Sequence, residues 1–269
     1  MTSIGPADLI FIAGITRRSG TNLLGRLLLD HPNVVRPTGH WELPLLDVAD
    51  SYRQFHDAFL ERREPGRLDF TFADFAAAFG RGFLSLLDER ISARADGAHV
   101  LHKNPGTLGI EHFEDFFPGA KLIFLIRDGH DVVNSQLAVV ENKVRARELT
   151  RFARDWSMSA RRIRAYGGPA IQVRFEDLCA DPGNELRRIA RFAGLAEDEA
   201  WLRASAADEV SGSTHFRSGE EVPGHASWTA EPKTDAFKPV GRWRTSWGPT
   251  DRFLFDRVAG DEMARLGYR

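Results

Sequence analysis

The sequence predicts an α/β protein of P-loop-like, three-layer design, with a central parallel sheet flanked by helices. Three observations carry this. Short apolar runs at residues 9–13, 99–102, 121–126 and 170–175 read as buried strands. Three of them lead quickly into helical periodicity, the alternation from which parallel sheets are built. The first run also breaks abruptly into a polar turn, Gly14-Ile-Thr-Arg-Arg-Ser-Gly20, at the head of a helix.

That helix is predicted over residues 20–30, because Leu23, Leu24, Leu27 and Leu28 recur at helical spacing. Strand, tight turn and helix together aim the first-turn N–H groups at one point, where an anion binds. Gly20 lets the backbone approach closely, and Arg17 and Arg18 add positive charge. The turn reads as a phosphate cradle. No lysine follows Gly20, as a nucleotide-hydrolysing Walker loop requires. A single 5′-phosphate carrying one transferable group suits the turn better.

The second strand ends in His102-Lys-Asn-Pro105, which puts Lys103 at the sheet edge, where a lysine stabilises charge developing on transferred or leaving oxygens. A helix stopping near Pro118-Gly119 is expected next. The third strand leads into a helix over residues 128–140. Arg127, at the strand's end, with Ser135 on the helix, suits a second phosphate separate from the one at Arg18. The alternative pairs Arg127 with Asp128 or Asp131. After the fourth strand, residues 181–193 carry Leu186, Ile189, Ala190 and Phe192 on one face, and Gly194 is the expected C-cap.

Two helical insertions separate these units. One spans residues 45–89 and carries Phe55, Phe59, Phe70, Phe72, Phe75, Phe79 and Phe83, expected to pack on the sheet. The other, residues 149–166, has an arginine-rich face of the kind that is ordinarily solvated. Residues 211–238 lose apolar periodicity and read as a long functional loop, so the chain is expected to be one domain of residues 1–269.

A net charge of −2 argues against a nucleic-acid binder relying on bulk positive charge. The lone cysteine, Cys179, excludes an intramolecular disulfide and fits a reducing compartment. No apolar run approaches the roughly 18 residues of a membrane span. Residues 9–15 also make a poor signal peptide, since arginines follow them and no basic region precedes them. A cytoplasmic location without membrane partners is expected; oligomeric state is not legible.

Taken together, these motifs resemble the sulfotransferases that use 3′-phosphoadenosine 5′-phosphosulfate (PAPS), over most of the chain from Ile10 to about Leu195 and again near Gly241. Arg18-Ser19-Gly20-Thr21-Asn22 is similar to the family's 5′-phosphosulfate loop, and Arg127 with Ser135 to its 3′-phosphate motif. The likeness is greatest to the tyrosylprotein sulfotransferases and their bacterial relatives. Asp30-His-Pro-Asn33 follows the first helix as it does there, and Lys103 matches that group's catalytic lysine. Val173-Arg-Phe-Glu-Asp-Leu178 matches the strand before a sheet-packing helix, with Phe175 where an adenine-contacting tyrosine often sits. Arg242-Trp243 parallels a late Lys-Trp that closes over the cofactor. The carboxylate region departs from the pattern: Pro37-Thr-Gly-His-Trp-Glu42 is two or three residues longer than the group's Gly-Glu-Glu stretch, leaving Glu42 or His40 as the base.

The resemblance implies a metal-independent enzyme that moves a sulfuryl group from PAPS to an acceptor hydroxyl, with PAP as the product. Arg18 and Lys103 are then the charge-stabilising groups, and phenols, glycans, lipids and peptide tyrosines are all open as acceptors. The rivals are a P-loop kinase of a small metabolite, which would need Mg²⁺, and a non-catalytic module that senses PAP or PAPS.

Overall fold

The computed structural model describes residues 4–38, 42, 45–62, 70–91, 97–140, 144–207 and 239–268. Its strands are β1 (Leu9–Gly14), β2 (Val34–Val35), β3 (His99–Asn104), β4 (Lys121–Ile126) and β5 (Ala170–Arg174). The helices up to β4 are α1 (Thr21–Leu29), α2 (Ala49–Glu61), α3 (Phe72–Asp88) and α4 (Phe113–Phe116). After β4 come α5 (Gly129–Leu137), α6 (Arg145–Ala165), α7 (Phe175–Ala180), α8 (Pro182–Ala193), α9 (Glu199–Ala207), α10 (Trp243–Ser246) and α11 (Pro249–Arg265).

All strand pairs are parallel, in the order β2-β3-β1-β4-β5. β1 is central, so the turn after it opens between the ends of β3 and β4. That is where an open α/β sheet binds ligands. Alternation along β1 sends Leu9, Phe11 and Ala13 into one core, shared with α3, α4, α6 and α11. Ile10 and Ile12 enter the other, shared with α1, α7, α8 and α9. Three layers result, as the sequence predicts.

Several boundaries move. β1 and β3 run on to Gly14 and Asn104, because hydrogen bonding to their neighbours continues through the polar residues. β2 has only two residues, too few to show any periodicity. The helix expected before Pro118-Gly119 shrinks to α4 behind a single 3-10 turn at Ile110–His112. α8 is as predicted: Asp181 accepts from the Asn184 N–H and Gly194 closes the helix at φ 77°.

The phenylalanine series is corrected. Phe72 is buried, but Phe55 is 61% exposed and Phe59 44%. α2 packs on α3 and not on the sheet, so its outer rings meet other rings instead, Phe55 on Phe75 and Phe59 on Phe70, each at 5.8 Å. The arginines of α6 are largely ion-paired: Arg151 with Glu148, and Arg161 and Arg164 with the buried Glu262. The loop expected at residues 211–238 lies outside the described residues.

α3 supplies a test of this packing. A Cβ added at Gly80 would lie 1.9 Å from the Phe116 carbonyl oxygen, whereas one at Gly82 meets nothing within 4 Å. Gly80→Ala must push α3 off α4 and should cost about 1–3 kcal/mol. Gly82→Ala, exposed on the same helix, should gain about 0.5–1 kcal/mol. Urea midpoints of the two variants should move in opposite directions.

Candidate active site

β1 ends at Gly14, and the chain folds back so tightly that a Cβ there would sit 2.4 Å from Ser19 Oγ. Gly20, at φ +100°, lies flat against Phe175, whose ring a Cβ would strike at 2.3 Å. Arg18 is the one non-glycine residue in the left-handed region among the described residues, at φ 74°. Such a conformation costs roughly 1–2 kcal/mol and persists only where neighbours hold it. Here α5 holds it. Ser135 Oγ accepts from Arg18 Nε at 3.1 Å, and Gln136 Nε2 donates to the Arg17 carbonyl at 3.0 Å.

Arg127 follows β4 and is only 7% exposed. Its Nη1 donates to the Arg18 carbonyl at 2.8 Å and its Nη2 to the Pro239 carbonyl at 2.7 Å. The guanidinium lies over the Phe175 ring, 4.2 Å from the centroid. It makes no ion pair with Asp128 or Asp131, because both carboxylates are engaged elsewhere. Asp128 caps α5, accepting from the His130 N–H and Nδ1, and Asp131 accepts from the Gly241 and Trp243 N–H groups.

Positive charge is crowded at this point. Burial lowers the pKa of Arg18, and the charges of Arg127 and Arg242 lower it further. Burial also lowers that of Arg127, against the pull of Asp131 and Glu176. Ser19 Oγ and Arg127 Nε are buried without a hydrogen-bond partner. Clustered guanidiniums, orphaned donors and the open N-terminus of α1 fit a polyanion such as a nucleotide bisphosphate. The Arg127 guanidinium meets the turn at the Arg18 carbonyl, so the two phosphate sites expected at Arg18 and Arg127 would adjoin; Ser135 Oγ accepts from Arg18 Nε and keeps its O–H to donate.

One strand away on β3, Lys103 is 1% exposed and its Nζ donates to Glu42 Oε1 at 2.9 Å. Glu42 bridges Lys103 in parallel fashion beside the sheet, and its side chain is 49% exposed. Burial lowers the lysine's pKa; the hydrogen bond and charge of Glu42 oppose this. A buried cation thus stands beside a carboxylate open to solvent, next to a cationic cradle.

Residues 8–199 match the model of the sulfotransferase family. The chain belongs to that family. Its fold is also that of solved sulfotransferases, all distant in sequence. The sulfotransferase domain of the Synechococcus PCC 7002 olefin synthase is 20% identical, with a TM-score of 0.55 over 97% of this chain and 95% of that one. The Alicyclobacillus acidocaldarius sulfotransferase is 16% identical, with a TM-score of 0.57 over 98% and 95%. Mouse sulfotransferase SULT7A1, solved with PAP, is 14% identical, with a TM-score of 0.58 over 97% and 86%. No curated protein matches the chain in sequence.

The remaining candidates distribute unevenly over this sulfotransferase. Thr21 is buried and Asn22 half-buried in the first turn of α1, while Arg17 is exposed, with its carbonyl held by Gln136. Phe175 forms the floor beneath Gly20 and Arg127. Trp243 is buried, its indole 6% exposed and stacked on His130 at 4.2 Å. Its neighbour Arg242 carries the charge. His40 lies outside the described residues. Sequence reasoning missed Gln136 and named Asp131 only as a possible partner of Arg127; the available signal was their place on α5, beside Ser135 and one turn before it.

His102 faces away from this chemistry, 1% exposed, with neither ring nitrogen hydrogen-bonded. Burial lowers its pKa to about 4, so the ring is neutral at pH 7. The unfolded chain, with an ordinary histidine pKa near 6.5, therefore takes up a proton that the folded chain refuses. Stability from this group is complete above pH 6.5 and lost as the pH falls toward 4, about 3 kcal/mol in all. His102→Leu removes both orphaned nitrogens and the titration. It should match or exceed wild-type stability at pH 7.5, and its urea midpoint should fall less than the wild type's between pH 7.5 and 5.

Proposed function

We propose that this sulfotransferase takes its sulfuryl group from PAPS and delivers it to an acceptor hydroxyl, with Glu42 as base and Lys103 as the charge-stabilising cation. The observation that carries this reading is the 2.9 Å Lys103–Glu42 pair set one strand from three converging arginines. Bound PAPS would supply a sulfuryl group already activated by its phosphate leaving group. Arg18, Ser19, Gly20, Thr21 and Asn22 would hold the 5′ end, and Arg127 and Arg242, with Ser135 steadying Arg18, the rest of the bisphosphate. Phe175 would support the nucleoside side of the site.

Each residue's task follows from its setting. Glu42 Oε1 stays on Lys103, leaving Oε2 to take the acceptor proton from the solvent side. Lys103 is held in a low-dielectric wall, where its charge acts more strongly on developing negative oxygens than it would in water. Arg18 is fixed before reaction by Ser135 and the left-handed backbone, so little reorganisation is needed. A kinase reading lacks its lysine: nothing in the turn replaces it. His40, two residues before Glu42, is the alternative base.

The acceptor is a hydroxyl compound whose pocket we assign to the α2–α3 insertion, within a single domain. Among the described residues no helix is long and apolar enough to cross a membrane. The single cysteine supports a reducing, cytoplasmic setting.

Calorimetry with PAP in EDTA and ³⁵S transfer from labelled PAPS test the reading together. Lys103→Ala should lower turnover about 10²- to 10³-fold while PAP affinity holds. Arg127→Ala should weaken PAP roughly 10- to 100-fold. Glu42→Gln should abolish most turnover and leave PAP binding intact. Full turnover in Lys103→Ala or Glu42→Gln would overturn the assignment of that residue, and PAP binding that needs Mg²⁺ would overturn the donor.

A further inference from the structure

Arg242 reaches the cationic site from a segment more than a hundred residues away in sequence. It stands just before α10, a helix of a single turn. Its placement is nonetheless fixed at three points. The Pro239 carbonyl accepts from Arg127 Nη2. The Gly241 N–H donates to Asp131 Oδ2 at 2.6 Å, and the Trp243 N–H to Asp131 Oδ1 at 3.2 Å. Behind them the Trp243 indole stacks on His130.

Asp131 thus grips the peptide on either side of Arg242 with its two oxygens. It is 2% exposed, and both bonds span more than a hundred residues of sequence. Gly241 adopts φ 78°, which lets the chain turn between the Pro239 and Asp131 anchors. We infer that Asp131 is a positioning residue for donor recognition: by clamping the two N–H groups that flank Arg242, it delivers that guanidinium to Arg18 and Arg127. The inference deepens the donor reading above and rests on it. The charge of Arg242 is felt at both arginines, as expected if the clamp sets its place.

The chemistry distinguishes Asp131 from a generic buried acid. Asparagine keeps its size but offers one oxygen, and its NH₂ would face a backbone N–H. One flank of Arg242 is then released and the other opposed.

PAP affinity of wild type, Arg242→Gln, Asp131→Asn and the double variant, measured from 50 to 300 mM NaCl, tests this. Each single variant should weaken PAP about 10-fold and flatten the salt dependence equally. The double should be no weaker than the worse single, because one residue acts through the other. In turnover, the KM for PAPS should rise while kcat at saturation stays within about twofold. Amide hydrogen exchange at Gly241 and Trp243 should quicken in Asp131→Asn. Should that variant not fold, Gly241→Ala, which strains the same turn and leaves the acid in place, should reproduce the loss. Wild-type affinity and salt slope in Asp131→Asn, or fully additive losses in the double variant, would overturn the inference while leaving the donor reading intact. If wild type itself binds no PAP, the donor reading fails and takes this inference with it.

Discussion

The buried guanidinium of Arg127 ties together parts of the chain that have no other reason to meet. Its terminal nitrogens donate to a carbonyl of the β1 turn and to one near α10, its flat face covers Phe175, and its own carbonyl accepts from Trp156 Nε1. A lysine, with a point charge and no plane, could not reproduce this fork-and-stack arrangement. Burying such a charge without an ion pair is costly, and charge-assisted bonds to two carbonyls offset part of it. The charges of Asp131 and Glu176 also favour the guanidinium. The proposed donor site is therefore assembled around one residue and inherits its charge.

The acid–base pair is built on the opposite logic. Lys103 lies deep in the wall and Glu42 at the surface, so the pair straddles the boundary between low dielectric and water. An exposed ion pair would be worth little, and a wholly buried one would carry a desolvation penalty for both partners. Half-burial keeps the lysine's field strong and, in the proposed reaction, leaves the carboxylate open to an incoming hydroxyl.

Residues whose chemistry follows from their place on a strand were readable from the sequence. Lys103, Arg127 and Phe175 each stand at the carboxyl end of an apolar run, and the Gly14–Gly20 turn announces itself by composition. Elements defined by partners distant in sequence were not. β2 is recognisable only by its pairing with β3, and the exposed rings of α2 look apolar until α3 is seen to occupy the layer beneath them. The same limit hid the contacts of Asp131 and Gln136: polar residues on a helix show no sign of which backbone groups they will satisfy. Trp243 shows a related limit, since an aromatic beside arginines reads equally well as a lid or an anchor, and its stacking on His130 is visible only in the fold.

The strand order decides where transfer can occur. With β1 between β3 and β4, Lys103 and Arg127 approach the turn from opposite sides, about 10 Å apart laterally at ordinary strand spacing. That gap is spanned by the turn itself, whose N–H groups and Arg18 lie over the head of β1. In the proposed reaction the acceptor side is defined by β3 and the donor side by β4. The transferred group must then pass over Gly14–Gly20. Rigid placement matters more here than any single bond. Arg18 is strained, Ser19 and Arg127 keep orphaned donors, and three like charges converge; all of these are unfavourable for a protein with no ligand. α5 maintains them together, with Ser135 and Gln136 on the turn, Asp131 on the segment bearing Arg242, and Asp128 and His130 fixing the helix start. A nine-residue helix thus holds both ends of the proposed donor site.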